Sequence, residues 1–218
     1  MMPMVFLSFL VVQPHLTSTS FQLVSPHALR CFHGHEHPQD MSQGRLEAEE
    51  RFNLLRADTY RLAEDAFRAR FPDIRLSDIT PEAAALADGW LASSRPSHQI
   101  GWSWARERRR FRCHPRRVEL AIWEGKCLLC ALSLGKVSKG RISATVHLLQ
   151  ANPDRSQSFR GEVGEMVVEY LRIYALASHC KTMVIDSPVI QLIDFYKDLG
   201  FLNEIKKGGR VKRLWQTV

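Results

Sequence analysis

Pro115 divides the chain into two kinds of pattern. Before it, apolar residues recur at spacings of three and four. After it they gather in short blocks, Val118 to Trp123 (VELAIW), Cys127 to Gly135 (CLLCALSLG) and Ile142 to Gln150 (ISATVHLLQ). The first spacing keeps one face of a helix apolar, and the second suits β-strands. A chain with this order builds helices first and then a sheet.

In the first part, Phe52, Leu55, Leu62, Ala63, Ala66 and Phe67 lie among charges from Arg45 onward, describing an amphipathic helix that Pro72 ends. Thr80 and Pro81 give an N-cap and a first-turn signal for a second helix, Glu82 to Ala92. A third, Trp102 to Arg112, sets Trp102, Ala105, Arg109 and Arg112 on related faces, and Pro115 closes it. In the second part, Glu124, Gly125 and Lys126 separate the first two blocks, which predicts a β-hairpin closed at Gly125. The third strand follows the turn at Lys139 and Gly140. Glu165 to His179 then reads as a long helix, Thr182 to Asp186 as a short strand, and Val189 to Leu199 as a helix ended by Gly200. Gly208 and Gly209 separate two terminal β-like pieces. The predicted class is α/β, a mixed and largely antiparallel sheet flanked by helices.

At 218 residues, 45% hydrophobic and 24% charged, the chain has the size and balance of one globular domain, which excludes disordered, collagen-like and multi-span membrane classes. We place that domain at 41–218, with a helical part (41–115) and a core (116–218), preceded by an extension at 1–40 predicted to be disordered. Within the extension the apolar run Met4 to Val12 is too short to cross a bilayer, which takes about twenty residues. No Lys or Arg precedes it and no Ala-x-Ala follows, so neither a membrane span nor a signal peptide is expected. The start of an amphipathic pattern at Met41 makes that residue an alternative translation start. Cys31, His33, His35 and His37 share a proline-punctuated tract without the rigid frame of a selective metal site, and no metal is expected. Five scattered cysteines point to a reducing cytoplasm. Cys127 and Cys130 lie three apart in a strand, facing opposite ways, which favours burial over redox or zinc chemistry.

Two stretches carry a resemblance. Arg160-Gly161-Glu162-Val163-Gly164-Glu165-Met166 sits between a strand and a long helix, and Ile193-Asp194-Phe195-Tyr196-Lys197-Asp198-Leu199-Gly200-Phe201 ends the next helix. Together, in this order, they resemble the GNAT superfamily of acetyl-CoA-dependent N-acetyltransferases over about Val118 to Trp215. The family's loop reads Arg/Gln-x-x-Gly-x-Gly/Ala. Here Val163 and Glu165 stand at its two glycine positions, so the loop is shortened or degenerate.

The resemblance implies acetyl-CoA as cofactor. Main-chain groups of Leu148, Leu149 and Gln150 would meet its pantetheine arm. Its pyrophosphate would rest on Arg160, Gly161, Glu162, Val163, Gly164 and Glu165, where helix-opening amides and the positive dipole end form an anion site. Arg155 and Arg160 would offset the glutamates. Tyr196 falls at the family's general acid, a phenol able to protonate a departing thiolate. His147, on the strand before the loop, is the candidate base for an unidentified amine acceptor, with Glu119 as the alternative.

The formal charge of +7 favours an anionic partner. Arg106, Arg108, Arg109, Arg110, Arg112, Arg116 and Arg117 form either a polyanion contact or a solvated helix face with ion pairs. Two functions stay open: an N-acetyltransferase working by direct attack in a ternary complex, and a non-catalytic module with a decayed loop that binds protein or nucleic acid through its basic face. A homodimer is compatible with either.

Overall fold

In a computed structural model of the protein, residues 38–93, 102–154 and 157–218 are described, the side chains of 38–42 and 91–93 excepted. The Met4 to Val12 run, the Cys31 to His37 tract and Arg155 lie outside the described residues.

The chain forms α1 (Pro38–Phe67), β1 (Ile74–Ser77), α2 (Pro81–Ser93), α3 (Trp104–Arg112), the hairpin β2 (Arg117–Glu124) and β3 (Leu128–Val137), and then β4 (Ser143–Ala151). These are followed by α4 (Val163–Ala177), β5 (Thr182–Asp186), α5 (Ile193–Asp198) and the hairpin β6 (Asn203–Lys207) and β7 (Arg210–Thr217). The strands make one sheet in the order β1-β2-β3-β4-β5-β7-β6, in which β4 and β5 are parallel and the other neighbours antiparallel. The mixed, largely antiparallel sheet read from the sequence is the one observed.

Several boundaries move. Residues 38–40 open α1 instead of ending the extension, and α1 stops at Phe67, well before Pro72. β1 was not expected from the sequence. Its four residues (IRLS) are too few to show a period, and pairing with Ala121 to Glu124 of β2 is what fixes them. The helix read from Val189 divides into a short 3-10 turn, Ile190–Leu192, and α5.

Two apolar layers cover the sheet. On one face α1, α4 and α5 bury Phe52, Phe67, Met166, Tyr170, Tyr174 and Tyr196 against Val118, Leu120, Val146 and Ile185. On the other, α2 and α3 bury Ala84, Trp104 and Phe111 against Ala121, Leu132 and Leu148. Asp88 of α2 fastens the second layer by accepting hydrogen bonds from the Ser103 hydroxyl (2.8 Å) and the Trp104 amide (2.6 Å) at the start of α3. The buried face of α3 is Trp104, Glu107 and Phe111, while Ala105, Arg109 and Arg112 face solvent.

On α1 the buried stripe is Phe52, Arg56, Thr59, Ala63 and Phe67, with Leu62 and Ala66 exposed. Arg56 belongs there because β1 covers only the second half of β2, leaving the carbonyls of Arg117 and Glu119 on an open edge. Arg56 and Tyr174 donate to the Arg117 carbonyl (3.3 and 3.2 Å), and Tyr60 and Tyr170 to that of Glu119 (2.8 and 2.9 Å). Buried backbone acceptors without such partners would each cost about 1–3 kcal/mol.

β4 carries one residue more than β3 can pair. Leu134 opposes Leu148 and Gly135 opposes Val146, so His147 bulges. The bulge reverses the alternation: Ala144 and Val146 lie in the α1/α4 layer, and beyond it Leu149 does, with Leu148 opposite. It also drives the Thr145 carbonyl onto Gly135, where an added Cβ would lie 1.9 Å from that oxygen. Gly135→Ala is therefore expected to cost about 2–3 kcal/mol and lower Tm by about 4–12 °C. Gly89→Ala, in an exposed turn of α2 with nothing within 4 Å, should instead raise stability by about 0.5–1 kcal/mol. Thermal melts of the two variants check this, and equal Tm values would contradict it.

Candidate active site

β4 and β5 pair from Ser143/Thr182 to Val146/Ile185 and then part. β4 runs on to Ala151 while β3 holds its other side, so the β5-facing edge of residues 147–151 has no sheet partner among the described residues. The bulge bends one strand away. Ser187, in the left-handed region at φ 52 and followed by Pro188, turns the other aside.

His147 stands at this fork. Its ring lies 6.1 Å from that of Phe111, on the α2/α3 side of the sheet. Nδ1 is 3.1 Å from Oδ2 of Asp186, whose Oδ1 accepts from Nε of Arg213 at 2.9 Å. An ionised carboxylate can only accept, so it assigns a proton to Nδ1; in a neutral imidazole the lone pair is then on Nε2, which is buried and without a hydrogen-bond partner among the described residues. The ring borders a cavity of about 230 Å³, walled also by Glu107, Arg110, Phe111, Lys136 and Asp186, with Leu148 and Ser187 completing the wall.

Tyr196 lies on the opposite face of the sheet, in the α1/α4 layer. It is fully buried, edge-on to Phe195 and Phe201, and its hydroxyl has no hydrogen-bond partner among the described residues. Burial pushes the phenol well above its ordinary pKa, so it keeps its proton.

Nearby, α4 opens at Val163, two residues before the expected Glu165. The amides of Val163, Gly164 and Glu165 have no carbonyl partner among the described residues, and Glu162 gives no side-chain cap. Gly161 takes φ 91, which glycine adopts without strain. Gly164 is needed for packing: a Cβ there would lie 2.6 Å from the Phe195 ring. The glutamates of the loop are answered by Arg70 from the turn after α1, at 2.7 Å from Glu162 and 3.7 Å from Glu165. The sequence reading missed this arginine. Arg160 is exposed on the turn before α4.

Other expected residues are engaged elsewhere. Glu119 is buried, with Oε1 accepting from Nε of Arg117 at 2.6 Å and lying 3.6 Å from Nε of Arg56. That carboxylate holds the open end of β2 to α1 and does not border the His147 cavity. Leu149 fills the core, and the Gln150 side chain accepts from the Trp104 indole. Cys127 is exposed while Cys130 is buried, its thiol pushed up to about 12 by burial and then by Glu124. Among the seven arginines, Arg106 and Arg110 pair with Glu107, Arg108 donates to the Ile79 carbonyl, Arg116 to that of Lys139, and Arg117 pairs with Glu49 and Glu119. Only Arg109 and Arg112 are left without a hydrogen bond or ion pair among the described residues.

Burial raises the Asp186 pKa, but the hydrogen bonds from His147 and Arg213 outweigh it and hold the group below the ordinary carboxylate value. A carboxylate with a lowered folded pKa stabilises the native state above the unfolded pKa, and that contribution disappears as pH falls through the folded value. Asp186→Asn should thus melt lower than the wild type at pH 7, by about 2–4 °C for about 1 kcal/mol. The gap should shrink steadily below about pH 4. A gap of constant size across both pH ranges would contradict the pairing.

No protein-family model and no curated protein matches this chain. Solved structures do resemble it. An acetyltransferase from Thermus thermophilus superposes with a TM-score of 0.52 at 18% identity, over 66% of this chain and 97% of that one. An uncharacterized protein from Bacillus halodurans superposes at 0.50 and 11% identity, over 66% and 83%. At such identities the shared property is the fold, and with a parallel strand pair opening into a fork this chain has the GNAT acetyltransferase fold.

Proposed function

We propose that the protein is an N-acetyltransferase that uses acetyl-CoA and a primary amine. The observation that carries this reading is the open edge of β4 beyond Val146, with an unpartnered buried Nε2 of His147 beside it on one face of the sheet; the Tyr196 hydroxyl, also unpartnered, lies in the layer on the other face. An unsatisfied buried polar atom costs about 1–3 kcal/mol, and a bound molecule entering between β4 and β5 would offer the His147 Nε2 its missing partner.

The residues present fit acetyl-CoA. Three free amides at the positive end of α4 suit a diphosphate, and Arg70 neutralises the two glutamates that would repel it. The open edge of Leu148, Leu149 and Gln150 provides main-chain donors and acceptors for an amide-bearing arm. When bound, acetyl-CoA supplies a thioester carbonyl open to attack by an amine. His147 receives the amine proton at Nε2 while Asp186 and Arg213 steady the ring through Nδ1. Tyr196 holds a proton at its hydroxyl for the departing thiolate, and burial keeps that proton in place beforehand. No acyl-enzyme is needed, since neither group acts as a nucleophile. The alternative of a decayed binding module gains little support from the basic face, because most of its arginines are engaged within the chain.

The test is steady-state release of free thiol from acetyl-CoA in the presence of primary amines. Tyr196→Phe is expected to lower kcat by about 10²-fold with an unchanged KM for acetyl-CoA. His147→Gln should lower kcat by a similar factor. Full activity in both variants would contradict the assignment.

A further inference from the structure

The walls of the His147 cavity hold two cations, Arg110 and Lys136, and two carboxylates, Glu107 and Asp186, and each carboxylate is also engaged by an arginine from outside the wall. Glu107 is shared by Arg106 at 3.4 Å and Arg110 at 3.3 Å, and both of its oxygens are taken. Asp186 is likewise shared by His147 and Arg213. Lys136 reaches the cavity from β3 and has no acidic partner among the described residues. With Arg106 and Arg213 counted beside the wall's Arg110 and Lys136, four cationic side chains stand about two carboxylates. The surplus is felt just outside the cavity at His114. Burial lowers its pKa, and the charges of Lys136, Arg110, Arg116 and Arg45 lower it further.

A site with this surplus of cations repels a polycation and attracts an anion. From this we infer that the acceptor is a small amine carrying its own acid group, a carboxylate or a phosphate, and not a polyamine. The inference rests on the transferase reading and adds the acceptor's class to it. A cavity of about 230 Å³ has room for a molecule of amino-acid size. Lys136 and Arg110 would hold the acid group while the amine faces Nε2 of His147. The same positive field disfavours the ammonium form of an amine held there. It therefore favours the neutral form, with a free electron pair to attack the thioester carbonyl. In the transfer the new C–N bond forms as the C–S bond breaks, the amine gives up one proton, and the thiolate takes one.

Matched amines that differ only in the acid group separate the possibilities. With the full chain and saturating acetyl-CoA, kcat/KM is measured for leucine against isoamylamine, for phosphoethanolamine against ethanolamine, and for spermidine. The acid-bearing member of at least one pair is expected to exceed its partner by about tenfold or more, with spermidine slower still, and the pair that responds tells carboxylate from phosphate. Lys136→Glu should reduce that preference by about tenfold and leave the KM for acetyl-CoA unchanged. Faster turnover of isoamylamine, ethanolamine or spermidine would overturn the acceptor class while the transferase reading stands. If no amine is acetylated although acetyl-CoA gives a saturable heat of binding, both fail together.

Discussion

The contact between the Thr145 carbonyl and Gly135 fixes the geometry on which the site depends. Only a residue without a side chain lets the two strands come this close, and the closeness accommodates the extra residue in β4. Three consequences follow from that one insertion. The alternation of β4 reverses, so Leu148 and Leu149 reach the correct layers. β4 separates from β5 after Val146, and His147 is left at the point of separation with its ring turned to a cavity. A regular strand would have buried one more ladder of hydrogen bonds and left no opening between the two faces.

Around that opening the chain is held by polar contacts that cross long stretches of sequence. Arg56 and three tyrosines close the exposed edge of β2, which keeps α1 against α4 and puts Arg70, just beyond the end of α1, beside Glu162 and Glu165. Asp88 ties α2 to α3 and so positions Phe111 and Glu107 on the far side of the fork. The buried pairing of Arg117 with Glu119 belongs to the first of these devices. Removing one partner of such a pair leaves a charge uncompensated in the interior, at a cost of about 3–5 kcal/mol. Its role is to anchor, which explains why Glu119, a reasonable acid–base residue on composition alone, is held by Arg117 and Arg56 and does not border the cavity.

Much of this frame was legible in the sequence because it rests on local signals. Gly125 closing a hairpin, Thr80 capping α2 and the apolar blocks after Pro115 all act within a few residues. Tyr196 and His147 were singled out as candidates, one from a motif ending in Gly-Phe and the other from its place on the strand before the loop. What escaped was tertiary. Asp186 ends an apolar strand, as charged residues often do, and its pairing with a histidine thirty-nine positions earlier leaves no local trace. Arg56 occupies a core-facing position on α1, and Arg70 lies past its end; a charge in an amphipathic helix looks solvated until an open strand edge or a loop glutamate is brought to it. The bulge was hidden too, since the letters of ISATVHLLQ alternate equally well without it.

Whether the fork and the amides of α4 receive acetyl-CoA decides everything proposed for the site. Isothermal titration of acetyl-CoA into the folded protein measures this directly, independent of any acceptor. One saturable site per chain is the predicted result, with affinity that weakens as salt rises because a diphosphate is held by amides and arginine. No heat at millimolar acetyl-CoA, from protein whose thermal melt shows it folded, would contradict it.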